Sequence, residues 1–109
     1  MSSTLSEAAI YINYSQAVKQ ANELDEQAAK LRKIASNDCD RIISQLSREW
    51  KGDSASLYLA KCQTLKNELI KSAKKLENTA QSIRTAAKKV KEADLRAKEL
   101  ADLRKRLSK

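Results

Sequence analysis

Few residues in this 109-residue chain could carry covalent or acid–base chemistry, and their spacing suits it poorly. There is no His, which removes the usual general base and the commonest metal ligand. The two cysteines, Cys39 and Cys62, cannot complete a four-ligand zinc site by themselves. Ser, Asp and Lys are plentiful, but no stretch sets a nucleophile beside a base. The expectation is a protein that is not an enzyme, with no metal and no cofactor. Cys39 and Cys62 retain one chemistry, oxidation to a disulfide. Each sits on the apolar side of a periodic stretch, and small side chains on facing helices can bring Cα atoms within the roughly 4.4–6.8 Å that a bridge needs. The alternative is two small buried hydrophobes. Oxidation further requires that the protein reach an oxidising compartment.

The other chemistry is charge. The net charge is +8, unevenly placed: residues 1–50 hold six Lys/Arg and seven Asp/Glu, a net −1, and residues 51–109 hold sixteen and seven, a net +9. The basic residues of the second half (Lys61, Lys66, Lys71, Lys74, Lys75, Arg84, Lys88, Lys89 and Lys91) lie mostly off the apolar stripe. Such an excess suits an acidic partner, a nucleic acid or an anionic surface, or is a solvated Lys-rich face. The basic stretch has no aromatic residue for stacking bases and no recognisable binding motif, so nucleic acid is not the expected partner. Its apolar stripe is Ala-rich with neither Phe nor Trp, so membrane lipid is not expected either. No apolar run approaches the roughly 20 residues of a membrane span. Met1 to Leu5 is uncharged and no apolar block follows, so no cleavable leader is expected.

Helices must position these side chains. With no Pro and one Gly, the chain lacks the residues that the turns of a small β-fold require. The fold class expected is all-α, one domain over 1–109. Ile10, Ile12 and Tyr14 alternate, which reads as an extended arm over 1–14 with Asn13 or Ser15 capping the first helix; the competing reading is a capping box, Thr4-x-x-Glu7, that starts the helix early. Val18, Ala21, Leu24, Ala28, Leu31, Ala35, Cys39, Ile42 and Leu46 then step by three and four, one face of a helix over 15–50. Tyr58, Cys62, Leu65, Leu69, Ala73, Leu76, Ala80, Ile83, Ala87 and Val90 mark a second over 54–102, followed by a frayed basic tail at 103–109. Between them Gly52 is placed to end the first helix in the left-handed C′ position, with Asp53 or Ser54 capping the next. The result is an antiparallel helical hairpin turning at Trp50–Gly52. Facing residues have numbers adding to about 102 or 103, which puts Cys39 nearly opposite Cys62. Ile34, Ile43, Leu57, Leu59 and Ile70 fall outside the seam. They are the expected partner face through which two hairpins pair as a dimer into a four-helix bundle.

A chain of this size, with two long helices and Trp50-x-Gly52 at the sole break, resembles the WXG family of small type VII secretion proteins, the ESAT-6-like hairpins, over about residues 10–100. The resemblance implies pairing with itself or with another WXG-like hairpin, in which the turn of one hairpin lies near the C-terminal end of its partner. Together the two form a composite export signal read by a secretion ATPase. It implies synthesis in the cytoplasm of a Gram-positive bacterium and export to the cell surface or medium without a cleavable signal peptide. Trp50 and Gly52 are the turn half of that signal. The other half in the family is a Tyr followed four residues later by an acid; here Asp94 holds the acidic place and Val90 stands where the Tyr would be. That departure suggests a targeting partner that borrows a complete signal, such as the helper of a larger toxin whose helical domain it binds. The rival reading is a cytoplasmic helical adaptor or a basic nucleic-acid-associated protein.

Overall fold

The computed structural model describes residues 5–108, and among them every regular element is helical. Helix α1 spans Glu7–Lys33, a π-helical turn occupies Ile34–Cys39, α2 spans Asp40–Glu49, and α3 spans Asp53–Leu107. The all-α, hairpin-like architecture is the expected one. Several boundaries are not.

The expected extended arm is helix from residue 7. Ser6 is the N-cap: its Oγ accepts the Ala9 N–H at 3.2 Å and its carbonyl accepts the Ile10 N–H at 3.0 Å. Glu7 lies in the first turn, where the helix dipole favours an acid. Thr4, of the competing capping box, lies outside the described residues. The alternation misled because Ile10 and Tyr14 are also four apart. The helix turns Ile10 inward, to 1% exposure, and leaves Tyr11 and Ile12 outside. Asn13 and Ser15 are helix interior, and the Ser15 hydroxyl donates to the Ile12 carbonyl.

At the other end of the first arm, α2 stops at Glu49, and Trp50 is an extended C-cap (φ −119°, ψ 129°) whose N–H donates to the Leu46 carbonyl at 2.9 Å. Gly52, at φ +108°, precedes α3, and its carbonyl accepts the Ser56 N–H at 3.1 Å. It therefore opens the second helix instead of closing the first in the C′ position, and Asp53 follows in the first turn of α3. The tail expected to fray is helical through Leu107, with the Ser108 N–H donating to Arg104. Leu, Arg and Lys keep a helix going after the apolar stripe has ended.

Two compact units make up the chain. One, residues 24–78, contains the turn and is a helical hairpin. Its fully buried side chains are small: Ala28, Ala35 and Cys39 against Ala55 and Ala73. Small residues let helix backbones come close, and polar contacts flank them. Arg32 grips Glu77 with two bonds, Nη2–Oε1 at 2.6 Å and Nε–Oε2 at 3.0 Å, and Lys66 Nζ reaches Asp40 at 2.6 Å. These pairs have numbers adding to 109 and 106, above the 102–103 centred on the turn. Side chains lean toward the N-terminus of their own helix, which carries the tip of Arg32 away from the turn and those of Lys66 and Glu77 toward it. The excess in number is that lean.

The π-helical turn lies in this unit. A turn bonded i to i+5 takes up one extra residue and rotates the residues that follow it about the helix axis. The seam runs Ala35, Cys39, Ile43, Leu46, and Ile42 is outside. The other unit pairs residues 5–23 with residues 79–108, again antiparallel. Ile10, Ala21 and Ala80 are its buried residues, and Arg84 Nη2 donates to Asn22 Oδ1 at 2.7 Å.

Candidate functional site

At the turn, Trp50 is held by its neighbour on α3. The Trp50 and Tyr58 rings meet edge to face, centroids 5.8 Å apart and planes at 79°, a geometry the ring quadrupoles favour. Both rings remain about half exposed, at 49% and 51%. With Leu46 and Glu49 they line an open cleft of about 490 Å³. Gly52 beside them is required by its backbone alone, because a Cβ built there meets nothing within 4 Å.

In the other unit, Asp94 lines a smaller cavity of about 180 Å³ with Ile10, Asn13, Tyr14, Val90 and Lys91. Lys91 Nζ stands 4.1 Å from the centroid of the Tyr14 ring and 5.9 Å from that of Tyr11, a cation–π contact. Asp94 is half-buried, and among the described residues it makes no hydrogen bond or ion pair. An aromatic ring therefore does stand beside Asp94. It comes from Tyr14 on α1, which the alternation at 10, 12 and 14 had assigned to an extended arm.

The expected partner face divides. Ile34, Leu57 and Ile70 are exposed, Leu57 by 68%, whereas Ile43 and Leu59 are half-buried and turned to the seam. In their place Ile42, Tyr58 and Leu65 are exposed. The π-helical turn explains Ile42 and Ile43. On α3 the seam passes through Ala55, Leu59, Cys62, Lys66, Leu69 and Ala73, so a stripe counted through Tyr58 and Leu65 lies to one side of it. Lys66 was the missed signal: a charged residue at a seam position whose ammonium pairs with Asp40.

The same holds for other basic residues. Lys66, Arg84 and Lys91 are half-buried at the seam, each with a partner on the first arm, and so are not part of a solvated face. Hydrogen bonds from Arg32 hold the Glu77 carboxyl below the usual carboxylate range, and Glu77 in turn raises the Arg32 guanidinium. Within α3, hydrogen bonding by Lys98 lowers Asp102 in the same way. Cys39 is buried, Cys62 half-buried, and both thiols are free. Among the described residues no group of His, Cys, Asp and Glu could hold a metal ion, and no helix is long and apolar enough to cross a membrane.

A family model described as proteins of 100 residues with WXG matches residues 9–95, which include Trp50-Lys51-Gly52. No curated protein and no solved structure matches the chain.

Proposed function

The chain belongs to the WXG100 family, and from that premise we propose that it is a type VII secretion substrate or targeting partner that pairs with a second helical hairpin. The family is one of small, non-enzymatic proteins associated with type VII secretion. In the proposed reading Trp50 and Gly52 contribute the turn half of a composite export signal and Asp94 the acidic half. Because Val90 replaces the aromatic residue four positions before Asp94, the partner completes the signal. The pair leaves the cytoplasm for the cell surface or medium. The partner is another WXG-like hairpin or the helical domain of a larger secreted toxin; a second copy, which also has Val90, would pair without completing the signal.

One observation carries the pairing. Ile10 is the only large side chain fully buried among the described residues, while Ile34, Ile42, Leu57, Tyr58 and Leu65 of the turn unit stay exposed. Each buried methylene contributes about 0.8 kcal/mol, so the fully buried alanines of the seam gain little by themselves. A further apolar reserve lies on the exposed faces, where a second helical hairpin would cover it. A nucleic-acid role is less well supported, since Lys66, Arg84 and Lys91 are engaged within the chain. Purification from the native host followed by native mass spectrometry tests the pairing. The expected species is a heterodimer with another hairpin or with a toxin's helical domain. A homodimer alone counts against the targeting role, and a monomer contradicts the pairing.

A further inference from the structure

The cleft at the turn is chemically more specific than an apolar patch. Leu46 and the two rings supply apolar surface, and Glu49 supplies a carboxylate. Because the rings meet at 79°, they stand as two walls at nearly a right angle and leave an open corner. Among the described residues Glu49 has no hydrogen bond or ion pair. It is also the last residue of α2, where backbone carbonyls without intrahelical partners carry the negative end of the helix dipole. Trp50 N–H occupies the Leu46 carbonyl. The cations nearest in sequence do not fill the cleft: Arg48 Nε folds back on the Ser44 carbonyl at 3.4 Å, and neither Arg48 nor Lys51 lines the cavity. Aromatic rings and a carboxylate favour positive charge, Asp53 in the first turn of α3 offsets the positive end of that helix's dipole, and Leu46 favours an apolar stem.

We propose that this cleft binds an arginine side chain presented by a partner protein, its stem on Leu46 and Trp50 and its guanidinium against Glu49 and the Tyr58 ring. Arginine fits better than lysine because its guanidinium is planar and weakly hydrated, pairs with a carboxylate through two bonds, and stacks on aromatic faces. The cleft is open, so a side chain carried by another protein can enter it. The proposal deepens the reading of Trp50 as a recognition residue and rests on it in the cell. Its test uses purified protein and no export, so either can fail without the other.

Trp50 is the only tryptophan, so its indole N–H is a single reporter in a nitrogen-edited NMR spectrum. The full chain is titrated with acetyl-Leu-Arg-Leu-amide and with the citrulline analogue, which keeps the shape and lacks the charge. The expected result is a saturable shift of the Trp50 signal with the arginine peptide and binding about tenfold weaker with citrulline, a difference of about 1.4 kcal/mol. Glu49→Gln weakens the arginine peptide by a similar factor and leaves both the helical circular dichroism and the citrulline affinity unchanged. Equal affinity for the two peptides, an arginine affinity unaltered in Glu49→Gln, or the absence of a saturable shift would overturn the proposal.

Discussion

Replacing Gly52 with alanine isolates the backbone requirement of the turn from any packing effect. Gly52 sits at φ +108°, where an L-residue is strained, and an added Cβ has open space around it. The cost is therefore conformational, of order 1–3 kcal/mol for a residue held in a sparsely populated region. Alanine also reduces the freedom of the unfolded chain, which returns about 0.4–1 kcal/mol. The net expectation is a loss of about 1–2 kcal/mol, and Gly52→Asn should cost about as much, because φ +108° lies outside the left-handed helical region near φ +57° that asparagine tolerates. Urea unfolding followed by far-ultraviolet circular dichroism at fixed protein concentration measures both. The midpoint should fall while the denaturant slope stays constant, since the surface exposed on unfolding is unchanged. An alanine variant that is neutral or more stable would contradict a backbone requirement at Gly52. A loss well above 3 kcal/mol would mean that the methyl group meets an obstacle, contrary to the open space around Gly52.

Other substitutions address the seam, the ion pairs and the thiols. Ala28→Leu places a large side chain at a position with no exposed surface and should cost about 1–3 kcal/mol; Ala60→Leu, on the exposed side of α3, should stay within about 0.5 kcal/mol in the same unfolding assay. Because the Glu77 carboxyl is lowered by Arg32, its contribution is present above the unfolded carboxylate range, near pH 4.3, and is lost as pH falls through the lowered folded value. Wild type should thus lose more stability than Glu77→Gln between about pH 6 and pH 3, by a small amount that salt reduces because both groups are exposed, and parallel pH curves would contradict this. In the native protein a thiol reagent should label half-buried Cys62 before buried Cys39, with both reacting after unfolding; intact mass reads the order, and two thiols that stay unlabelled until reduction would indicate the bridge between them.

Much of the hairpin was legible because its signals are local. The absence of Pro and the single Gly leave one place for a break, and Ala21, Ala28, Ala35, Ala73 and Ala80 are buried where the periodicity put them. What could not be read depended on one-residue differences or on contacts across the seam. Ile10 and Tyr14 satisfy a two-residue and a four-residue period equally, and the Ser6 cap decides between them. The π-helical turn at Ile34–Cys39 has no sequence signal that we recognise, yet it moves Ile42 off the seam and Ile43 onto it. Lys66, Arg84 and Lys91 read by type as lying off the apolar stripe, although long side chains can lie along a seam and place their charges on partners from the facing helix. Trp50 and Gly52 stood out as a motif; the roles of Tyr58, Glu49 and Tyr14 beside the motif residues emerged only from the packing.

In the proposed function, export depends on the turn. The most direct test is the amount of this protein in the culture supernatant of the native host, with a cytosolic protein as lysis control. Three strains are compared: wild type, a Trp50→Ala variant, and a strain lacking the secretion ATPase. The expected result is the protein in the wild-type supernatant and its retention in the cells of the other two, with the Trp50→Ala protein still folded by circular dichroism. Retention in wild-type cells with an active secretion system, or undiminished export without the ATPase, would contradict it.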